Sequence, residues 1–183
     1  MFAHQLPSGA ELRPLEPWQG AEFADHLDRA REHIRPWVGP TFVTAGVEAA
    51  TATLTRYATA TAADGARIYG IWSGGTLVGG VMFVGFDAPR GVAELGCWLE
   101  PGAEGRGLVS EACRALVRWA FEIRGLHRIE WRCRATNARS GAVAQRLGMT
   151  LEGTLRQSWP MGDAFDDTQI WALLSAEWQP ELA

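Results

Sequence analysis

Glycines at 102, 105 and 107, in the stretch Gly102-Ala103-Glu104-Gly105-Arg106-Gly107-Leu108, stand directly before a run with strong helical spacing. Glycine lets backbone turn sharply and approach a ligand closely. The helix after the loop begins with unpaired N–H groups at the positive end of its dipole. Such a combination binds a pyrophosphate without a lysine, and Arg106 is placed to add charge. The plain alternative is a flexible strand-to-helix connection. A dinucleotide fingerprint does not fit. It requires a parallel strand–helix–strand unit with an acidic residue about 20 positions on. Here antiparallel strands are expected first, and Glu122 and Glu130 fall on the wrong elements.

Other chemistries are limited by what the chain lacks. It contains no lysine, so Schiff-base catalysis, a lysine base and a complete P-loop are excluded. The four histidines (His4, His26, His33, His127) and the cysteines Cys97, Cys113 and Cys133 show no metal-ligand spacing, so no metal is expected. The cysteines fall at apolar positions, which reads as buried thiols in a reducing compartment. Cys97 as an acylated nucleophile would need a nearby histidine, and none is close in sequence. A net charge of −4 argues against a nucleic-acid binder, because Arg118, Arg124, Arg128, Arg132 and Arg134 are scattered. Met1-Phe2-Ala3-His4-Gln5 shows no signal-peptide pattern, and the apolar run near Val81 to Val84 is far below the roughly 20 residues that span a bilayer. A cytoplasmic protein with no membrane partner is expected.

The elements that must position these residues alternate between the two periods. A short strand is expected over 9–14 and a helix from Pro17 to Arg31, with Trp18, Phe23, Leu27 and Ala30 on its apolar face. Pro36 and Pro40 interrupt the next segment. The threonine-rich run from Val47 to Ala63 predicts a mediocre, loosely held surface helix. Residues 67–72 and 77–84 flank Ser73-Gly74-Gly75-Thr76 as a hairpin, and 92–99 reads as a third antiparallel strand. A helix is expected from Leu108 to Arg124, capped by Gly125. His127, Ile129, Trp131, Cys133 and Ala135 then alternate with Arg128, Glu130, Arg132 and Arg134 in a clear strand. A helix over 139–147 ends at Gly148, with strands near 150–159 and 168–174 after it. With no repeat or linker, residues 1–183 are expected to form one mixed α+β domain.

The order of several short motifs carries a resemblance. They are Glu94-Leu95-Gly96-Cys97-Trp98-Leu99, the loop from Gly102 to Leu108, Ser110-Glu111-Ala112, Asn137-Ala138-Arg139-Ser140 and Leu147-Gly148-Met149. Together with Leu151-Glu152-Gly153-Thr154-Leu155-Arg156 and the segment from Ile170 to Trp178, they resemble the GNAT N-acyltransferases. The branch containing the ribosomal-protein N-terminal acetyltransferases is the most similar. The resemblance spans Leu12 to Trp178. It implies a mostly antiparallel twisted sheet flanked by helices, with strands splayed around an acyl-CoA cleft. Acetyl-CoA, or another acyl-CoA, is then the expected co-substrate. By similarity, the backbone of Cys97, Trp98 and Leu99 pairs with the pantetheine arm. The amides of Glu104, Gly105, Arg106, Gly107 and Leu108 hold the pyrophosphate. Asn137 bonds the pantetheine, and Ser140 lies near the thioester sulfur or the phosphate side. His33 and Trp37 fall in a segment that walls the acceptor pocket in relatives, although ordinary packing or capping also explains them.

Two positions depart from the pattern. Gly102 stands where Gln or Arg is usual, removing one side-chain contact to the loop. Ala144 stands where many relatives carry the tyrosine that protonates the leaving thiolate, which leaves Ser140 or water for that task. The reaction requires an amine to lose a proton before attack, and Glu94 is the expected base, directly or through water. Its alternative is a structural carboxylate paired with an arginine. If the Glu130–Arg132–Arg134 face borders the acceptor groove, Arg134 is placed to bind an acidic substrate or an acyl carboxylate, which opens a succinyl-type donor. The acceptor is a protein N-terminus, polyamine, amino sugar or other small amine. A non-catalytic acyl-CoA-binding module is the alternative class. Trp159, Trp171 and Trp178 motivate a homodimer.

Overall fold

A computed structural model describes residues 3–39, 42–43 and 45–179. Met1, Phe2 and Pro40, which the sequence-based expectations invoke, lie outside them. Eight strands form one sheet: β1 (His4–Gln5), β2 (Glu11–Pro14), β3 (Arg67–Ser73), β4 (Thr76–Asp87), β5 (Val92–Leu99), β6 (Arg128–Arg134), β7 (Thr150–Met161) and β8 (Ala164–Leu174). Their order is β1-β2-β3-β4-β5-β6-β8-β7. Every neighbouring pair is antiparallel except β5 and β6. The mixed α/β architecture expected from the motifs is thus present. The connection between β5 and β6 contains a helix, as a parallel crossover requires.

Alternation in the strands makes two cores. Helices α1 (Gly20–Ile34) and α2 (Val47–Ala62) cover one face, burying Phe23, Leu27 and Leu54 against Trp72, Met82 and Trp98. Helices α3 (Leu108–Arg118) and α4 (Ala138–Arg146) cover the other, where Leu116, Val117 and Ala144 meet Val81, Phe83, Leu95 and Ile129. Each fully buried Leu or Val of α3 contributes about 1.5–3 kcal/mol, which anchors the helix behind the glycine loop.

Several expectations are corrected. Residues 17–19 form a separate 3₁₀ turn, so Trp18 leaves the apolar stripe of α1 and is 80% exposed. Helix α3 ends at Arg118 and continues as a π-helical turn over Trp119–Ile123, closed by Gly125 at φ +65°. Threonine propensity also misled: α2 buries Ala50, Thr53, Leu54 and Tyr57, so tertiary packing holds it firmly. The last two strands are longer than expected. They form one hairpin with register pairs out to Met161 and Ala164.

Candidate active site

The cleft exists because β5 and β6 part company. They pair only at Val92, Ala93 and Glu94, opposite Arg128, Ile129 and Glu130. From Leu95 onward β5 bonds only to β4, while β6 from Trp131 onward bonds only to β8. A bulge in β4 inserts Val84 between Phe83 and Gly85 at this same level, and such bulges bend a strand and increase its twist. The result is an unpaired β5 edge beside a cleft of about 840 Å³. An extended ligand can satisfy that edge as an additional strand.

Strand alternation divides the cleft wall by chemistry. Leu95, Cys97, Trp131 and Cys133 turn toward α3 and α4, with the glycine loop at that end. Glu94 and Arg132 sit at the alternate positions, so they face the α1–α2 side with Arg56, Tyr57 and Met82. One ligand can therefore enter from each face and meet the other at the split.

The loop end is built for an anion. Gly105 and Gly107 hold φ of +73° and +77°, a left-handed conformation that L side chains resist, and Gly107 is the N-cap of α3. Gly105, Gly107, Leu108, Val109 and Ser110 line the cleft. Gly102 has open space around it and needs no positive φ, so its glycine is not a conformational requirement. The Arg106 guanidinium donates to Ser73 Oγ at 2.9 Å, and Arg106 is not among the residues that line the cleft. The cations that do line this end are Arg139 and Arg146, about two helical turns apart on α4. Helical spacing alone permitted their shared face; the contact with the loop comes from the packing of α4 beside α3.

Glu104 closes the mouth. Its carboxylate lies 2.6 Å from His33 Nε2 and 2.9 Å from Arg139, joining the end of α1, the loop and α4. His33 and Trp37 line the cleft. Asn137 caps α4 by accepting from the Ser140 amide at 3.1 Å, which leaves its side-chain N–H groups free for another partner. Ser140 Oγ accepts from Trp131 Nε1 at 2.9 Å, and its hydroxyl also hydrogen-bonds the Cys133 thiol. Ala144 is fully buried and presents no polar group.

Glu94 sits between a base and an ion-pair partner. Burial raises its pKa from the ordinary carboxylate value; Arg132, with Nε 3.6 Å away, opposes the rise, and Glu130 adds to it. Arg132 is shared with Glu130, whose carboxylate also accepts from Arg128. Arg134 does not meet the expectation set for it. It pairs with Asp166 at 2.9 Å, donates to the Pro36 carbonyl at 2.8 Å and lies 5.0 Å from the Trp37 ring. Buried and outside the cleft wall, it positions the Trp37 segment and offers no site for an acyl carboxylate.

Cys113 and Cys133 are buried as expected, but Cys97 is partly exposed. It lines the cleft, where burial by its surroundings pushes its thiol up to about 12. A thiol held in that form is a poor nucleophile. Beside it, the Trp98 indole donates to His26 Nε2 at 2.9 Å inside the α1 face. Of the late tryptophans, Trp171 is buried, Trp178 packs on Phe121 and donates to Glu122, and Trp159 lines the cleft. Their places in core and cleft account for them without an interface.

Comparison with known proteins matches this arrangement. Residues 11–150 match the family model described as an acetyltransferase (GNAT) domain. The ribosomal-protein-serine acetyltransferase of Escherichia coli is 34% identical over 107 residues, covering 58% of this chain and 60% of that protein. YdaF of Bacillus subtilis is 25% identical over 186 residues, covering 99% of this chain and all of that protein. The structure of Mycobacterium smegmatis RimJ in complex with CoA-disulfide superposes with a TM-score of 0.85 at 23% identity, over 96% of this chain and 87% of that one.

Proposed function

The chain belongs to the GNAT acetyltransferase family, and we propose that it transfers the acetyl group of acetyl-CoA to the N-terminal amine of a protein. The observation that carries this reading is the split between β5 and β6, which opens one cleft to both faces of the sheet. The positive-φ glycines at 105 and 107, with the unpaired β5 edge, fit a pyrophosphate and its pantetheine arm. The backbone of Cys97, Trp98 and Leu99, the amides from Glu104 to Leu108 and the side chain of Asn137 hold the donor. Arg139 and Arg146 supply the charge that Gly102 lacks. The ribosomal-protein acetyltransferase relative supports a protein amine as acceptor.

Bound acetyl-CoA supplies an electrophilic thioester carbonyl at the split. Glu94 takes the proton from the amine, which needs only modest help because a free α-amino group has a pKa near about 8. Ser140, held by Trp131, passes a proton from Oγ to the leaving thiolate while recovering one from water, the role left vacant at Ala144. Trp131 is a positioning residue for that hydroxyl. His33 and Trp37 wall the acceptor entrance. A cytoplasmic enzyme is in keeping with this reading. We also infer self-association along β7, the outermost strand, which exposes Leu151, Leu155 and Met161.

The direct test incubates the protein with acetyl-CoA and synthetic peptides, reading CoA thiol release and the site of acetylation by mass spectrometry. Modification of the α-amine is expected. Turnover confined to small amines or side-chain amines would overturn the acceptor assignment, and absence of thiol release with every amine would favour a binding module.

The glycine loop makes its own prediction. Gly107→Val places a branched side chain at φ +77°, at a cost of about 1–2 kcal/mol, and is expected to raise the acetyl-CoA KM by about tenfold. Gly102→Arg meets open space and is expected to change stability by less than about 0.5 kcal/mol. Equal donor KM values for Gly107→Val and wild type would remove the cradle.

A further inference from the structure

Arg56 stands on the acceptor side of the cleft without an acid to neutralise it. It is exposed on α2, lines the cleft and lies 5.6 Å from the centre of the Tyr57 ring. Among the described residues no carboxylate lies within ion-pair distance of it. The other arginine on this side, Arg132, differs: Glu94 and Glu130 share it. On this side Arg132 is therefore matched by Glu94 and Glu130, and Arg56 is the guanidinium left without a carboxylate among the described residues. An uncompensated guanidinium in a partly desolvated cleft favours an anionic group on the acceptor and repels a cationic one.

The two ends of this charge pattern meet at Tyr57. Its hydroxyl reaches Met82 Sδ at 3.0 Å, and Met82 pairs with Gly96, two residues along β5 from Glu94. Burial raises the Tyr57 pKa, Arg56 opposes the rise and Glu94 adds to it, so both charges lie within electrostatic reach of one phenol. Arg56 and Glu94 line the same cleft, so an acceptor whose amine approaches Glu94 brings its neighbouring groups toward Arg56. A guanidinium fork pairs best with a planar carboxylate, which it can grip through two N–H donors.

We propose that Arg56 is a specificity-determining residue that selects peptides carrying an acidic side chain next to the reactive N-terminal residue. This rests on the acceptor being a peptide N-terminus. The acidic side chain supplies the partner that Arg56 lacks, while the amine approaches Glu94. Because Arg56 is exposed on the helix surface, its replacement leaves the buried face of α2 intact.

The test uses octapeptides identical except for Asp or Arg at the second position, each measured for kcat/KM by CoA thiol release. Binding of the N-acetylated forms is measured separately by calorimetry. Wild type is expected to favour the Asp peptide by about tenfold, R56Q to bring the two within about twofold, and R56E to reverse the order. Equal values in wild type, or a preference that survives R56Q, would overturn the proposal in either measurement. If peptides are neither acetylated nor bound while an amino acid is acetylated in an Arg56-dependent way, the peptide reading fails and carboxylate selection by Arg56 stands. If no amine is acetylated, the binding difference alone decides for or against Arg56.

Discussion

Replacing Glu94 by Gln is expected to lower turnover at saturating substrates by about 10²-fold, the low end of what a positioned general base contributes, while leaving the acetyl-CoA KM close to its wild-type value. Gln keeps the shape and hydrogen-bonding capacity of the carboxylate but takes no proton. The donor contacts lie along the β5 edge, the loop and Asn137, none of which depends on this charge. Arg132 keeps Glu130 at 3.1 Å, so the variant is expected to fold. The pH profile gives a second readout. Burial holds the Glu94 pKa above the ordinary carboxylate value despite Arg132. Its ionised form is the base, so kcat/KM should rise as pH rises through that displaced pKa. This limb should disappear in Glu94→Gln. Unchanged turnover with an unchanged profile would leave Glu94 as the ion-pair partner of Arg132 and nothing more.

Acid should loosen the wall of the cleft through His26. This imidazole is fully buried, and burial lowers its pKa from 6.5 to about 4, outweighing the Glu100 carboxylate 3.5 Å from Nδ1. Because Trp98 Nε1 donates to Nε2, the ring carries its proton on Nδ1 and is neutral. In the unfolded chain the same imidazole binds a proton near its ordinary 6.5. Between about pH 6.5 and 4 the unfolded state therefore holds more protons, and stability falls as pH falls through that window. The shift corresponds to about 3 kcal/mol. His26→Gln keeps an acceptor for the indole without a titrating ring. Urea denaturation of both proteins at pH 8 and pH 4 should show the stability difference moving by about that amount in favour of Gln at the acid end. A difference that stays constant across the window would mean that His26 is not the group responsible.

Both predictions join a residue legible in the sequence to a setting that was not. Glu94 stood out by its place in a strand leading to the glycine loop, but its partner Arg132 lies 38 positions later in the chain and is brought beside it by the β5–β6 register. His26 appeared only as a histidine without metal spacing. Its contact with Trp98 crosses from α1 to β5, and no local pattern encodes such a contact. Arg134 failed for the same reason. Alternation correctly put it on the face shared with Glu130 and Arg132, yet alternation does not say what covers that face. Asp166 on β8 and the Pro36 carbonyl cover it.

Threonine propensity ranked α2 as an incidental surface helix, and that error hid Arg56 and Tyr57. Helix propensities differ by tenths of a kcal/mol per residue, whereas burying Leu54 and Tyr57 contributes about 1.5–3 kcal/mol each. Packing therefore decides whether such a helix is held, and packing depends on elements distant in the chain.

By itself the sequence determined the periods of the strands and helices, the glycines of the loop and the carboxylate leading into it. These are local properties, set by side-chain alternation, backbone freedom and capping within a few residues. Only the tertiary structure decided that the splay implied by the motifs begins after Glu94, that Arg106 bonds Ser73 while Arg139 and Arg146 line the loop, and that Arg56 faces the acceptor side. Those outcomes depend on strand register and helix packing between segments tens of residues apart, where no short-range spacing carries the information.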